Sequence, residues 1–187
     1  MSEDRDKIWA ELQARAERLL EHAREVEPKD VVRWYNSELR LWHYPAFGPH
    51  VSWTVLRPGR KKVALGSPTL VREVTWDQYA DQRWVYDPAE ALRTAPVNRP
   101  IIRLREAPLP EGPLERIMGE GASLSVPLLG FPGTLGIDGE RWGLENYHFS
   151  PRIRIDWFCD GPVVWRHFID WVGTLRGFLC RCLDEAG

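Results

Sequence analysis

The 187-residue sequence predicts an α+β fold: an antiparallel sheet flanked by amphipathic helices at the N- and C-terminal ends. Three observations predict it. Apolar residues step by three and four near both ends of the chain, short β-branched and aromatic runs fill the region between, and those runs are separated by turn residues.

The first element is a helix from Ser2 to Glu27, with Ile8, Leu12, Ala16, Leu19, Ala23 and Val26 as its apolar stripe, Ser2 as N-cap and Pro28 as its stop. Between Asp30 and Trp76 the runs VVRWYN, LRLWHY, HVSWTVLR, KKVALG and TLVREVTW predict a meander. They are punctuated by Asn36-Ser37, Pro45 to Pro49, Arg57-Pro58-Gly59-Arg60 and Gly66-Ser67-Pro68. Pro58-Gly59 fits the central pair of a type II turn, because Pro presets the first dihedral and Gly accepts the positive φ that follows. Asp87-Pro88-Ala89-Glu90 has the form of a capping box with Pro at the first helical position, which predicts a short helix to about Thr94. Pro100 to Glu106 reads as a further strand, and the proline-rich stretch near 106–113 as a connector to a short helix over Leu114 to Met118, within one domain spanning 1–187.

The last third predicts a turn at Asp138-Gly139, a strand in ERWGLENYHF and a reversal at Ser150-Pro151. A second strand, RIRIDWFC, turns Ile153, Ile155, Trp157 and Cys159 inward, and a helix follows from Val163 to Leu183. The inward stripe of that helix is Val164, Phe168, Val172, Leu175, Leu179 and Leu183. Six to eight strands are expected in all.

The run GIDGERWGLE, the aromatic strand with Trp157, the Gly161-Pro162 turn, Trp165 and the terminal helix resemble a module of small uncharacterised bacterial proteins. The pattern D-G-x-x-W-x-L-E, Asp138 to Glu145, carries this resemblance over about a quarter of the chain, and it implies no chemistry. The first helix followed by a meander with Tyr44-Pro45 and Pro49 is similar to the ubiquitin-conjugating or RWD-type fold. The chain has no cysteine just downstream to act as a conjugating nucleophile.

Composition excludes several function classes. Cys159, Cys180 and Cys182 form neither an even disulfide framework nor a C-x-x-C pair, so a reducing cytoplasm is expected. The N-terminal segment lacks the grammar of a signal peptide, and charges interrupt the apolar stretch Val163 to Leu183, so no membrane partner is expected. H-E-x-x-H, Walker A, G-x-G-x-x-G and G-x-S-x-G patterns are missing, and the sequence predicts no metal and no cofactor. A Cys–His pair of Cys159 with His148 or His167 is the one enzymatic alternative, since such a pair activates a thiolate.

Charge distribution is more informative than its sum. Residues 1–30 carry a net −3, residues 31–105 +6 and residues 106–187 −5. Arginines stand beside aromatics or share strand faces at Arg33, Trp34, Arg83, Trp84, Arg103, Arg105, Arg141, Trp142, Arg152 and Arg154. Such a basic, aromatic sheet surface suits a non-catalytic protein-interaction subunit meeting an acidic protein partner. The alternative is a nucleic-acid-binding accessory protein, in which arginines meet phosphates and aromatics stack on bases. A third possibility is internal: the arginines pair with acids of the same chain, and the acidic helices cover the basic sheet.

Overall fold

A computed structural model describes residues 2–26, 35–59, 67–87, 99–126, 139–147 and 152–187. The elements are α1 (Ser2–Glu21), a 3-10 turn (Ala23–Glu25), β1 (Tyr35–Tyr44), β2 (His50–Pro58), β3 (Thr69–Trp76), α2 (Gln78–Tyr86) and β4 (Ile102–Leu109). They continue with α3 (Glu111–Ala122), β5 (Arg141–Asn146), β6 (Ile153–Phe158), a second 3-10 turn (Val163–Trp165) and α4 (Arg166–Ala186). The six strands form one antiparallel sheet in the order β4-β3-β2-β1-β5-β6, an α+β fold as the sequence predicts.

The two faces of the sheet are packed differently. Against one lie α3 and α4, whose Leu114, Ile117, Phe168, Val172, Leu175, Leu179 and Leu183 bury Leu39, Leu41, Val55, Val71, Ala107 and Leu109. The side chains of α4 fall at helical spacing, so a single stripe meets alternate residues of the strands. On the opposite face, Ala16, Leu20, Ala23 and Val26 of α1 and the turn after it pack on Val74 and Trp76.

Strand side chains also fasten the end of α1. Ser52 Oγ donates to the Leu20 carbonyl at 2.8 Å, and Arg72 Nη1 donates to the carbonyls of Ala23 at 2.7 Å and Val26 at 2.9 Å. A helix end leaves carbonyls without intrahelical partners, and here the sheet supplies donors for them. Arg72 is fully buried, and its Nε donates to Glu106 on β4 at 2.6 Å. At the other end of α1, Trp9 stacks on Trp76 at 5.9 Å, and Tyr86 of α2 donates to Asp6.

Several boundaries differ from the sequence reading. Helix α1 ends at Glu21 rather than Glu27, and its chain direction is reset by the 3-10 turn well before Pro28. Asn36-Ser37 is not a turn: β1 runs through it, with the register against β2 shifting between Ser37 and Leu39. The extra residue of this bulge is Glu38, to which Arg57 Nε donates. The predicted connector near 106–113 is strand and helix. Ala107, Pro108 and Leu109 pair with Val71, Leu70 and Thr69, and α3 begins at Glu111. Pro108 is tolerated because β4 is an edge strand with one side free of ladder bonds.

Helix α2, absent from the sequence reading, is capped by Asp77, whose side chain accepts from Ala80 N at 3.1 Å. Val164 is 64% exposed, Ile153 49% and Ile8 42%, and Cys159 is exposed at a positive φ of 50°, so none of the four belongs to the inward set assigned to it. The strand ends at Phe158, and the turn after it rotates Cys159 away from the core. The run 61–66, the Pro58-Gly59 turn beyond Gly59, the helix proposed for 88–94 and the reversal at Ser150-Pro151 lie outside the described residues.

Candidate functional site: an ionic cleft beside the first helix

The sheet distributes the basic and aromatic candidates instead of gathering them. Arg33 and Trp34 lie outside the described residues. Arg83 is exposed on α2, with Trp84 half-buried beside it. Arg103 and Arg105 lie on edge strand β4, in register with Thr75 and Glu73, on the face covered by α4. Arg154 stands at the opposite edge, on β6, and reaches Glu21 of α1 on the other face. Arg152 precedes that strand, its guanidinium 4.9 Å from the ring centre of Tyr147. Arg141 and Trp142 are successive residues of β5 and therefore point to opposite faces.

Three of these arginines, Arg105, Arg141 and Arg154, already hold a carboxylate. Arg105 donates to Glu73 at 2.8 and 3.0 Å and to Asp184 of α4 at 2.8 Å. Arg141 reaches Asp156 at 3.1 Å, while Arg154 reaches Asp156 at 2.9 Å and Glu21 at 3.4 Å. Trp142 is stacked on His43 at 3.9 Å and lies beneath Arg176, 5.2 Å from its ring centre. Within the positive middle segment, Arg40, Arg72 and Arg105 are likewise met by acids that the fold brings from α1, β4, β5 and α4.

The structure does assemble a cluster that the sequence does not announce. Arg40 of β1 is 1% exposed, its guanidinium 4.3 Å from the ring centre of the buried Trp42. Its Nη2 lies 3.2 Å from Glu145 on β5 and 3.7 Å from Glu21 on α1. Tyr147 donates its hydroxyl to the same Glu145 at 2.9 Å. Arg40 Nε and Nη1 and Trp42 Nε1 are buried with no hydrogen-bond partner among the described residues. Gly143 makes this packing possible, because a Cβ there would stand 2.0 Å from the Trp42 ring.

Beside the cluster, between α1 and strands β1, β5 and β6, an open cleft of about 410 Å³ is lined by Glu17, Glu21, Tyr44, His50, Arg141 and Arg154. Two carboxylates one helical turn apart therefore face two guanidinium groups from adjacent strands. At the floor, Tyr44 and His50 stack at 4.7 Å, and Trp76 meets His50 edge-on at 5.3 Å. Burial pushes the Tyr44 hydroxyl up to about 12, so it stays protonated at neutral pH. Burial also lowers His50 to about 4, against a partial opposing effect of the Pro45 carbonyl, so the imidazole stays neutral. His50 Nδ1 has no well-formed hydrogen bond among the described residues.

The cleft offers charge recognition: acceptors on one wall, fixed donors on the other and a neutral aromatic floor. The described residues include no group of three or more His, Cys, Asp or Glu side chains able to hold a metal ion. No described helix is long and apolar enough to cross a membrane. Cys159 is exposed near the end of β6, and among the described residues no hydrogen bond joins it to a histidine; His148 lies outside them. No protein-family model matches this sequence, and neither a curated protein nor a solved structure matches it.

Proposed function

We propose that the protein is a non-catalytic interaction subunit of a bacterial cytoplasm that docks an extended segment of an acidic protein along the outer edge of β6. The observation that carries this reading is the edge position of β6, the last strand of the sheet, with apolar side chains left exposed at both of its ends and just after it. Ile153 is 49% exposed, Phe158 47%, Val163 92% and Val164 64%. Ile153 and Phe158 stand at opposite ends of β6 and on opposite faces, so they border the two ends of this edge, and Val163 and Val164 follow in the 3-10 turn.

Strand β6 ends the sheet and pairs, among the described residues, with β5 alone. An edge strand presents unpaired backbone donors and acceptors to which an incoming strand can add. Arg152 and Arg166 are exposed near this edge and favour an acidic segment, whereas Arg154 is held by Asp156 and Glu21. The reading therefore narrows the basic sheet surface to the β6 end, since Arg105 at the other edge is held by Glu73 and Asp184. The three free thiols suit a reducing compartment.

The test is capture by the tagged chain at moderate salt, with and without nuclease, run in parallel with Ile153→Glu. The expected result is an acidic protein in stoichiometric amount that survives nuclease and is lost from the Ile153→Glu sample. Recovery of nucleic acid that nuclease abolishes, with affinity falling steeply with salt, would transfer the function to a nucleic-acid accessory. A partner retained equally by Ile153→Glu would overturn docking at β6.

A further inference from the structure

We propose that the cleft between α1 and strands β1, β5 and β6 is a binding site for a small zwitterion of amino-acid size, its cationic group held by Glu17 and Glu21 and its carboxylate by Arg141. This goes beyond docking at β6 and stands on separate residues. Size is the first argument: about 410 Å³ falls in the range of roughly 300–1,000 Å³ that small-molecule sites occupy.

Charge arrangement is the second. Glu17 and Glu21 are four apart on α1, on one side of the helix, where like charges repel. Glu17 Oε1 accepts from the neutral Gln13 amide at 2.9 Å, which leaves its charge without a cation in ion-pair contact among the described residues. Glu21 is met by Arg154 at 3.4 Å and Arg40 at 3.7 Å through one oxygen, Oε1. A ligand ammonium placed between the two carboxylates removes the repulsion and completes both.

On the facing wall the two arginines are unequal. Arg154 uses Nε and Nη2 on Asp156 and Nη1 on Glu21, so its fork is committed. Arg141 is bound to Asp156 only through Nη2, at 3.1 Å, leaving either Nε or Nη1 to donate a charge-assisted hydrogen bond to an incoming carboxylate. The wall charges cancel, two negative against two positive, which favours a ligand that is itself neutral overall but separated in charge. Tyr44 and the neutral His50 supply a floor that binds polar or apolar substituents without adding charge.

The experiment is isothermal titration of the intact chain with the proteinogenic amino acids and glycine betaine. For each binder, it is repeated with the analogue lacking the amine or the carboxylate, and with Glu17→Gln and Arg141→Gln. Both substitutions fall on partly exposed side chains, and thermal melting checks that the variants fold. The expected result is saturable binding of at least one zwitterion, weakened about tenfold or more by either substitution and by loss of either ligand charge. Glu17→Gln leaves partner capture at β6 unchanged, so the two readings fail separately. The proposal is overturned if no zwitterion binds, if an analogue carrying a single charge binds as well, or if folded variants keep full affinity.

Discussion

The two faces of the sheet solve the same packing problem with different chemistry. Facing α3 and α4, strands β1 to β4 present Leu39, Leu41, Val55, Val71, Ala107 and Leu109, and burial of apolar area holds the helices on. Facing α1, the same strands present Arg40, Ser52, Thr54 and Arg72, all buried. There, hydrogen bonds and ion pairs fix where the helix ends and how it sits. Apolar packing tolerates sliding, whereas Arg72 reaching Ala23, Val26 and Glu106 together specifies one arrangement of three segments. All the unpartnered polar atoms but His43 Nε2 belong to the α1 face, as does the cleft, so polar recognition is concentrated on that side.

The sharpest way to break this comparison is at Arg72. Arg72→Ala removes a fully buried cation together with its ion pair to Glu106 and its donations to two carbonyls, and unfolding free energy should fall by about 4 kcal/mol in urea titration. The paired replacement Arg72→Met with Glu106→Leu should recover most of that loss, because an apolar pair avoids the desolvation of both charges. If the single substitution costs no more than an exposed ion pair does, the α1 face is not organised by Arg72.

Much of this division was legible in the sequence, for physical reasons that particular residues show. Strands β2 and β3 and helix α4 follow their apolar periods, and Phe168, Val172, Leu175, Leu179 and Leu183 are buried as the stripe requires. Pro108 misled because a proline weighs against a strand unless the strand is known to be an edge, which is a property of topology. Helix α2 was hidden because its sequence, QYADQRWVY, has little apolar periodicity, and tertiary contacts hold it: Asp81 accepts from Trp76 Nε1 at 2.7 Å and from Ile101 N at 3.1 Å. The surplus of arginine in residues 31–105 was visible, but its compensation was not. Glu106, Glu145 and Asp184, which meet Arg72, Arg40 and Arg105, come from after that segment, and Glu21, which also meets Arg40, from before it. Arg40 stands between Leu39 and Leu41 like any outward strand residue; only the placement of α1 and β5 makes its side of the strand an interior.

A middle-sized effect follows from His50. Its folded value of about 4 lies below the ordinary 6.5 because burial disfavours the imidazolium. Between those values the unfolded chain binds a proton that the folded chain does not, so stability falls as pH drops from 6.5 toward 4 and levels off below. His43, also lowered by burial, contributes with the same sign. His50→Phe keeps an aromatic ring against Tyr44 and Trp76 and removes the titration. Urea midpoints measured above pH 6.5 and near pH 4 should therefore differ less in the variant than in the parent. An equal difference would mean that the imidazole at the cleft floor is not held neutral by burial.

The smallest expected effect sharpens the comparison from the other side. Asp184 of α4 pairs with Arg105 at 2.8 Å, but its side chain is 67% exposed and that of Arg105 47%, so water and salt screen the pair. Asp184→Asn should lower unfolding free energy by less than about 1 kcal/mol, and raising the salt concentration should shrink even that difference. Glu73, only 9% exposed, holds the same guanidinium while accepting from Trp53 Nε1 at 2.8 Å, so it is the stronger anchor. A double-mutant cycle should accordingly give Arg105 a larger coupling to Glu73 than to Asp184. Equal couplings would mean that the acidic end of α4 clamps the basic edge as firmly as the buried acid beneath it, and the helices of the apolar face would then also be positioned by charge.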